Sequence, residues 1–152
     1  MQFLTDDGGF GFLVTPLGGR NMFRFQLIIA GQVVGDSEPC ILGSAMKRLG
    51  SLARLDDERL SLLSSEPATV VSILCSEEDL HDAAILSLAE SLDHWMICGY
   101  MYQGSAVMLA QEYRASQVGN PLLISHIDAA EYGSIFDATR SYWSKVNGNW
   151  IG

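Results

Sequence analysis

Residues 22–36, MFRFQLIIAGQVVGD, hold two extended segments joined at a glycine, and we take this stretch as the founding hairpin of a β-sheet. The first arm, residues 22–30, alternates at its start and then becomes wholly apolar, as a strand does when it enters a covered region. Gly31-Gln32 can supply the positive backbone dihedral of a two-residue loop, and Val33-Val34 form the return arm. The pattern ends at Gly35-Asp36 and predicts an antiparallel strand pair.

The length and composition of the chain predict one folded domain spanning residues 1–152. Hydrophobic residues make up 48% of the 152 residues and charged residues 18%, which is typical of a globular chain with a generous core. The glycine-rich start, residues 1–21, predicts an edge strand at residues 10–15 and otherwise a mobile edge segment.

The charge balance is strongly acidic. Eighteen acidic residues against nine basic ones give a net charge of -9. Such a field repels nucleic acid and anionic membranes, so we expect no direct binding to either, whereas a basic protein is attracted.

The cysteines indicate a reducing compartment. Cys40, Cys75 and Cys98 are odd in number, widely spaced and without a CxxC pair, which argues against a disulfide framework or a structural zinc site. The start, MQFLTDD, lacks the basic and apolar regions of a secretory signal, and no window approaches about 18 uninterrupted apolar residues. We therefore expect a cytoplasmic protein.

The remaining chain predicts helices and strands in the overall order βββααβαβββα. Predicted helices occupy residues 44–55 and 56–64, and two further helices begin at Ser76 and Asp128. The helix from Ser76 carries an apolar stripe as far as Leu92. Predicted strands occupy residues 68–75, residues 94–113 as a hairpin about Gln103-Gly104, and residues 122–127. The fold class expected is α+β, with an antiparallel or mixed sheet of about five to six strands and three to four helices mainly on one face.

We recognise no catalytic, cofactor-binding or metal-binding motif in the sequence, so we expect a protein that is not an enzyme. Cys75 directly precedes the predicted helix at Ser76, but Glu77 and Glu78 would raise the pKa of its thiol, and a buried cysteine on a core strand is the commoner case. His81, His94 and His126 lack the spacing of a metal motif. The glycines at positions 8, 9 and 11 are not followed by the Lys-Ser/Thr of a phosphate-binding loop.

The hairpin, its terminal Gly-Asp and the Leu-bearing helix that follows resemble the front half of a bacterial immunity-protein family, immunity protein 42, over residues 22 to about 60. The resemblance implies a protein that binds and neutralises the C-terminal toxin domain of a neighbouring polymorphic toxin, as in contact-dependent growth inhibition. Where such a toxin is a basic nuclease, an acidic inhibitor gains a fast on-rate from opposite charge.

Acidic clusters are the candidate partner-binding residues, although acids at helix starts and turns are also typical of any solvated surface. The candidates are Asp36, Glu38, Asp56, Asp57, Glu58, Glu77, Glu78 and Asp82. An accessory domain that binds a small molecule or a peptide is the alternative hypothesis, and an enzyme with residues assembled from separate strands is a third. Either a monomer or a homodimer is compatible with the sequence.

Overall fold

The computed structural model describes residues 1–18, 21–60, 66–113 and 120–148. Within these ranges it contains four α-helices and two β-sheets, of five and four strands, which confirms the α+β class. The strands are divided between two sheets rather than forming the single sheet expected. The helices are α1 (Gly43–Leu49), α2 (Pro67–Ser76), α3 (Glu78–Ala84) and α4 (Ala129–Gly148). The strands are β1 (Gln2–Leu4), β2 (Phe10–Pro16), β3 (Phe23–Ile29), β4 (Gln32–Val34), β5 (Pro39–Cys40), β6 (Ala53–Arg54), β7 (Trp95–Tyr102), β8 (Ser105–Glu112) and β9 (Leu123–Asp128).

The founding hairpin is β3 and β4, in the first sheet. Leu27 pairs with Val34 and Ile29 with Gln32 in antiparallel register. The turn lies at Ala30-Gly31, where φ is 52° and 74°, so the predicted loop at Gly31-Gln32 is wrong by one residue. Two consecutive positive φ angles are what a two-residue hairpin loop requires, and Gln32 is thereby free to begin β4.

Strand β2 lies inside the first sheet, between β1 and β3, so the edge strand predicted at residues 10–15 is wrong. The edge position falls to the short strand β1. Gly11 permits this pairing, because a Cβ atom there would lie 2.5 Å from both the Phe3 carbonyl oxygen and Leu4 Cδ2.

The second sheet is built on the hairpin β7–β8, which turns at Gln103-Gly104 as predicted, and β9 extends it. Each face of the second sheet packs into a separate hydrophobic core. Ile97 and Met108 belong to the core shared with the first sheet and α4, whereas Cys98 and Tyr100 belong to the core under α2. Successive side chains of β7 therefore alternate between the two cores.

Helix α2 occupies the segment predicted as a strand, residues 68–75, and that prediction is wrong. Pro67 stands in the first helical turn, where its missing N–H is not needed, and Val70 and Leu74 are buried one turn apart. The β-branched residues suit a strand locally, but packing against the second sheet decides the outcome. Ser76 is accordingly the last residue of α2 and not a helix start.

The long helix predicted from Ser76 to Leu92 is much shorter. Helix α3 ends at Ala84, and Ile85 then forms an antiparallel bridge with Cys98 of β7. A 3₁₀ turn follows at Glu90–Leu92. The helix predicted at residues 44–55 likewise ends at Leu49, and the one predicted at residues 56–64 lies partly outside the described residues, with a 3₁₀ conformation at residues 58–60.

Helix α4 begins as predicted. The Asp128 carboxylate caps it, since Oδ1 accepts the backbone N–H groups of Ala130 at 2.9 Å and Glu131 at 3.3 Å. Its buried face carries Tyr132 and Phe136 into an aromatic cluster completed by Phe10, Phe12 and Phe25. Among the described helices, none has the length and hydropathy needed to cross a membrane.

Candidate partner-binding surface

Arg59 neutralises part of the acidic surface predicted at Asp57 and Glu77. Its guanidinium lies 2.5 Å from Asp57 Oδ2 and 3.1 Å from Glu77 Oε1. The hydrogen bond with Arg59 lowers the pKa of Asp57, and the two carboxylates raise the pKa of Arg59. All three side chains are at least partly exposed, so the network orders this surface more than it stabilises the fold.

The other candidates of this group remain on the surface. Asp56, Glu58, Glu78 and Asp82 are exposed, and Asp82 Oδ1 lies 3.4 Å from His81 Nδ1. Glu78 stands in the first turn of α3, where the helix dipole favours an acid. The structure thus brings Asp57 and Glu77 together through Arg59, whereas the remaining members lie exposed nearby in the chain.

Asp36 and Glu38 form a second surface. Asp36 Oδ1 accepts the Glu38 backbone N–H at 2.9 Å, and the Asp36 N–H donates to the Ser91 carbonyl at 2.8 Å. The buried Ser91 hydroxyl donates in turn to the Phe25 carbonyl at 2.6 Å, which fixes the segment against the first sheet. Burial raises the pKa of the nearby Cys40 thiol, and the negative charges of Glu90 and Asp36 raise it further. Asp36 therefore shares its surroundings with Glu90, which the sequence did not single out.

A groove of about 210 Å³, lined mostly by apolar side chains and called the apolar groove below, lies beside this second surface, and sequence reasoning missed it. It lies between residues 85–92 and the start of β7, and includes Leu86, Leu88, Trp95 and Tyr113 in its lining. The Leu86 N–H donates to the Ile97 carbonyl at 2.8 Å, which holds one wall against β7. No sequence signal reveals the groove, because it forms only where the predicted helix stops at Ala84.

A polar cleft of about 250 Å³ lies where β9 meets the turns of the first sheet, and it too was missed. Ser125 Oγ donates to the Gly9 carbonyl at 2.9 Å and accepts the Ala30 N–H at 2.8 Å. Asp7 Oδ1 accepts the Thr5 hydroxyl at 2.7 Å and the Gly9 N–H at 2.8 Å, and these hydrogen bonds lower the pKa of Asp7. Ser125 therefore joins β9 to the turns of the first sheet, whereas Asp7 orders the turn between β1 and β2.

The cysteines occupy environments unlike those expected. Cys75 is exposed on α2 and not buried on a strand, so the expected buried position is wrong. Burial raises the pKa of the Cys98 thiol to about 12, which leaves it protonated and unreactive at neutral pH. The described residues contain no group of three or more His, Cys, Asp or Glu side chains placed to hold a metal ion.

Comparison with known proteins gives a similarity of fold. No protein-family model matches the sequence, and no curated protein matches it. A crystal structure of CdiI from Burkholderia dolosa superposes with a TM-score of 0.64 at 15% sequence identity, covering 93% of this chain and 99% of that one. Because almost the whole of both chains is aligned, the chain has the fold of CdiI.

Proposed function

We propose that this protein is an immunity protein that binds the toxin domain of a cognate contact-dependent growth inhibition system and neutralises it in the cytoplasm. One observation carries the proposal: the fold similarity to CdiI, a contact-dependent growth inhibition immunity protein, extends over 93% of this chain and 99% of the other. The resemblance of residues 22–60 to an immunity-protein family points to the same class of function.

The electrostatics of the chain suit such a role. A net charge of -9 accelerates the encounter with a basic toxin domain, such as a nuclease whose cleft must attract nucleic acid. The same negative charge repels nucleic acid, so this protein is not expected to inhibit a nuclease by binding the nucleic acid in its place. Inhibition then follows from occupation of the toxin by protein, with no chemistry required of the inhibitor.

Co-expression tests the proposal. The C-terminal domain of the large toxin gene directly upstream is expressed alone and together with this protein, and growth and co-purification are scored. We expect growth arrest by the toxin domain alone, rescue by co-expression and a stable complex. Toxicity that is neither relieved nor accompanied by binding would refute the proposal.

Salt dependence and paired variants then test the role of charge. We expect the on-rate to fall as ionic strength rises, because exposed charges act over a Debye length of about 8 Å at physiological salt. Glu78→Gln removes an exposed carboxylate, whereas Asp57→Asn removes one that already faces Arg59. Each substitution removes one negative charge, so if steering uses this surface both variants lower the on-rate, and an unchanged on-rate in both would exclude it.

The polar cleft is the place that a second candidate function, an accessory domain that binds a small molecule, would use, although its size and hydrogen bonds argue against that function. Its volume of about 250 Å³ is below the range of about 300–1,000 Å³ typical of ligand sites. Its Ser125 and Asp7 hydrogen bonds are also made within the protein. A thermal-shift screen of small cations and metabolites would support this candidate if stabilisation were lost in the Glu131→Gln variant, whose native carboxylate accepts the Asp6 N–H at 2.8 Å.

A further inference from the structure

We propose that the apolar groove between residues 85–92 and β7 is the docking site for the partner, and that it receives an apolar side chain flanked by lysine or arginine. This inference rests on the proposed function and adds the place of contact. The acids predicted from sequence steer the approach, whereas the groove supplies the anchor.

The groove combines the features of an interface centre. Tyr113 is 61% exposed and Trp95 is partly exposed, and both line it together with buried Leu86 and Leu88. Tyrosine and tryptophan dominate the residues whose truncation weakens protein complexes most. An exposed aromatic ring beside a concave apolar floor is therefore a suitable receptor for one inserted side chain.

Backbone hydrogen bonds hold the groove open. The Tyr113 N–H donates to the His94 carbonyl at 3.1 Å, and its hydroxyl donates to the Asp93 carbonyl at 3.0 Å. On the other wall, Ile85 bridges to Cys98 and the Leu86 N–H donates to Ile97. A groove with both walls fixed requires little ordering on binding, which favours affinity.

The charges around the groove select a basic partner. Asp93 lines it, and Glu90 is exposed between the lining residues Ala89 and Leu92. Asp36 is bonded to Ser91. Two cations lie near these groups: Arg48 donates to the Ile85 carbonyl at 3.0 Å, and Arg24 donates to the Ser37 carbonyl, next to Asp36, at 3.4 Å. Asp93 and Glu90 place negative charge at the groove itself, and the chain carries a net charge of -9, so a partner carrying lysine or arginine beside its apolar anchor is complementary.

Binding of the purified upstream toxin domain by groove variants tests the inference. Ser87 is exposed and lines the groove, so Ser87→Arg introduces bulk and positive charge with little effect on the fold. Its matched control is Ser72→Arg, the same change at an exposed position on α2. We expect Ser87→Arg to raise the Kd at least about 100-fold and Ser72→Arg to change it less than about 3-fold.

A second pair of variants separates the ring from its hydroxyl group. Tyr113→Ala removes the exposed ring, and we expect the Kd to rise about 10-fold or more. Tyr113→Phe keeps the ring and loses only the bond to the Asp93 carbonyl, so it should retain most of the affinity. Thermal unfolding of each variant confirms that it is folded.

The outcomes distinguish the two proposals. Wild-type protein that does not bind the toxin domain overturns both the immunity function and the docking site. Tight binding by wild type that is unchanged in Ser87→Arg and Tyr113→Ala overturns the groove and leaves the immunity function standing. Equal weakening by Ser87→Arg and Ser72→Arg also overturns it, because net charge alone would then explain the loss.

Discussion

Two buried tyrosines should respond in opposite ways to the loss of their hydroxyl groups. Tyr132 donates from its hydroxyl to the Leu49 carbonyl at 2.7 Å, where α1 ends and its last carbonyls need partners. Tyr100 is fully buried in the core under α2, and its hydroxyl has no hydrogen-bond partner among the residues that the structure describes. The same substitution, tyrosine to phenylalanine, therefore removes a satisfied group in one case and an unsatisfied one in the other.

The expected magnitudes follow from the cost of unpaired buried polar groups. Tyr132→Phe removes the hydrogen bond to the Leu49 carbonyl and leaves that buried oxygen without this donor, so the free energy of unfolding should fall by about 1–3 kcal/mol. Tyr100→Phe removes a hydroxyl that gains nothing in the fold, so the free energy of unfolding should stay the same or rise by about 1 kcal/mol. The two variants should thus differ by about 2 kcal/mol, or about 4–8 °C in Tm for a chain of this size.

Urea and thermal unfolding, followed by tryptophan fluorescence and circular dichroism, measure this difference. Burial raises the pKa of both tyrosines, so their folded forms hold the proton more tightly than the unfolded chain does. Wild-type stability should therefore fall as the pH rises above about 10, the ordinary tyrosine value, and the fall should be smaller in each variant. Equal stability of the two variants at neutral pH would refute the reasoning, because the hydroxyl bonded to Leu49 would then contribute no more than the unpaired hydroxyl of Tyr100.

Three further predictions concern local features. Gly11→Ala should destabilise the fold by more than about 1 kcal/mol in urea unfolding, because its Cβ would lie 2.5 Å from a backbone oxygen, whereas Gly133→Ala, with open space in α4, should stabilise it by about 0.5–1 kcal/mol. Hydrogen bonds lower the pKa of Asp7, so its contribution to stability is present above about pH 4 and is lost as the pH falls below that value. Below about pH 4, the urea midpoint of Asp7→Asn should therefore depend less on pH than that of wild type. An alkylating reagent should modify exposed Cys75 in the native protein and spare Cys98, and Cys75→Ser should leave protection from the toxin intact.

The sequence predicted those elements whose local signals and tertiary environment agree. The hairpin at Gln103-Gly104 alternates between two buried faces, and Asp128 supplies a standard helix cap, so both appear where expected. The strand predicted for residues 68–75 was wrong because β-branched side chains favour a strand locally, whereas packing against the second sheet favours a helix. The division into two sheets also could not be predicted, since long-range register decides which strands pair.

The candidate surface was predicted only in its charged part. The acids Asp57 and Glu77 were identified, but their shared partner Arg59 depends on where the chain folds back. Asp36 was identified as well, yet its link to Ser91 joins residues 55 positions apart. Composition reveals which charges a surface can carry, whereas their pairing is a property of the tertiary structure.

The groove follows from the way the chain leaves α3 at Ala84. Had the helix continued to Leu92, its apolar stripe would have been buried entirely beneath it, and no concave surface would have formed. Instead, Ile85 and Leu86 pair with β7, and a stretch of extended chain must then reach the first sheet, where Ser91 is anchored to Phe25. Extended chain covers less apolar area than a helix does, so part of the second sheet remains uncovered beside Trp95. The end of α3 at Ala84, which the sequence did not predict, is therefore also the feature that leaves the apolar groove exposed.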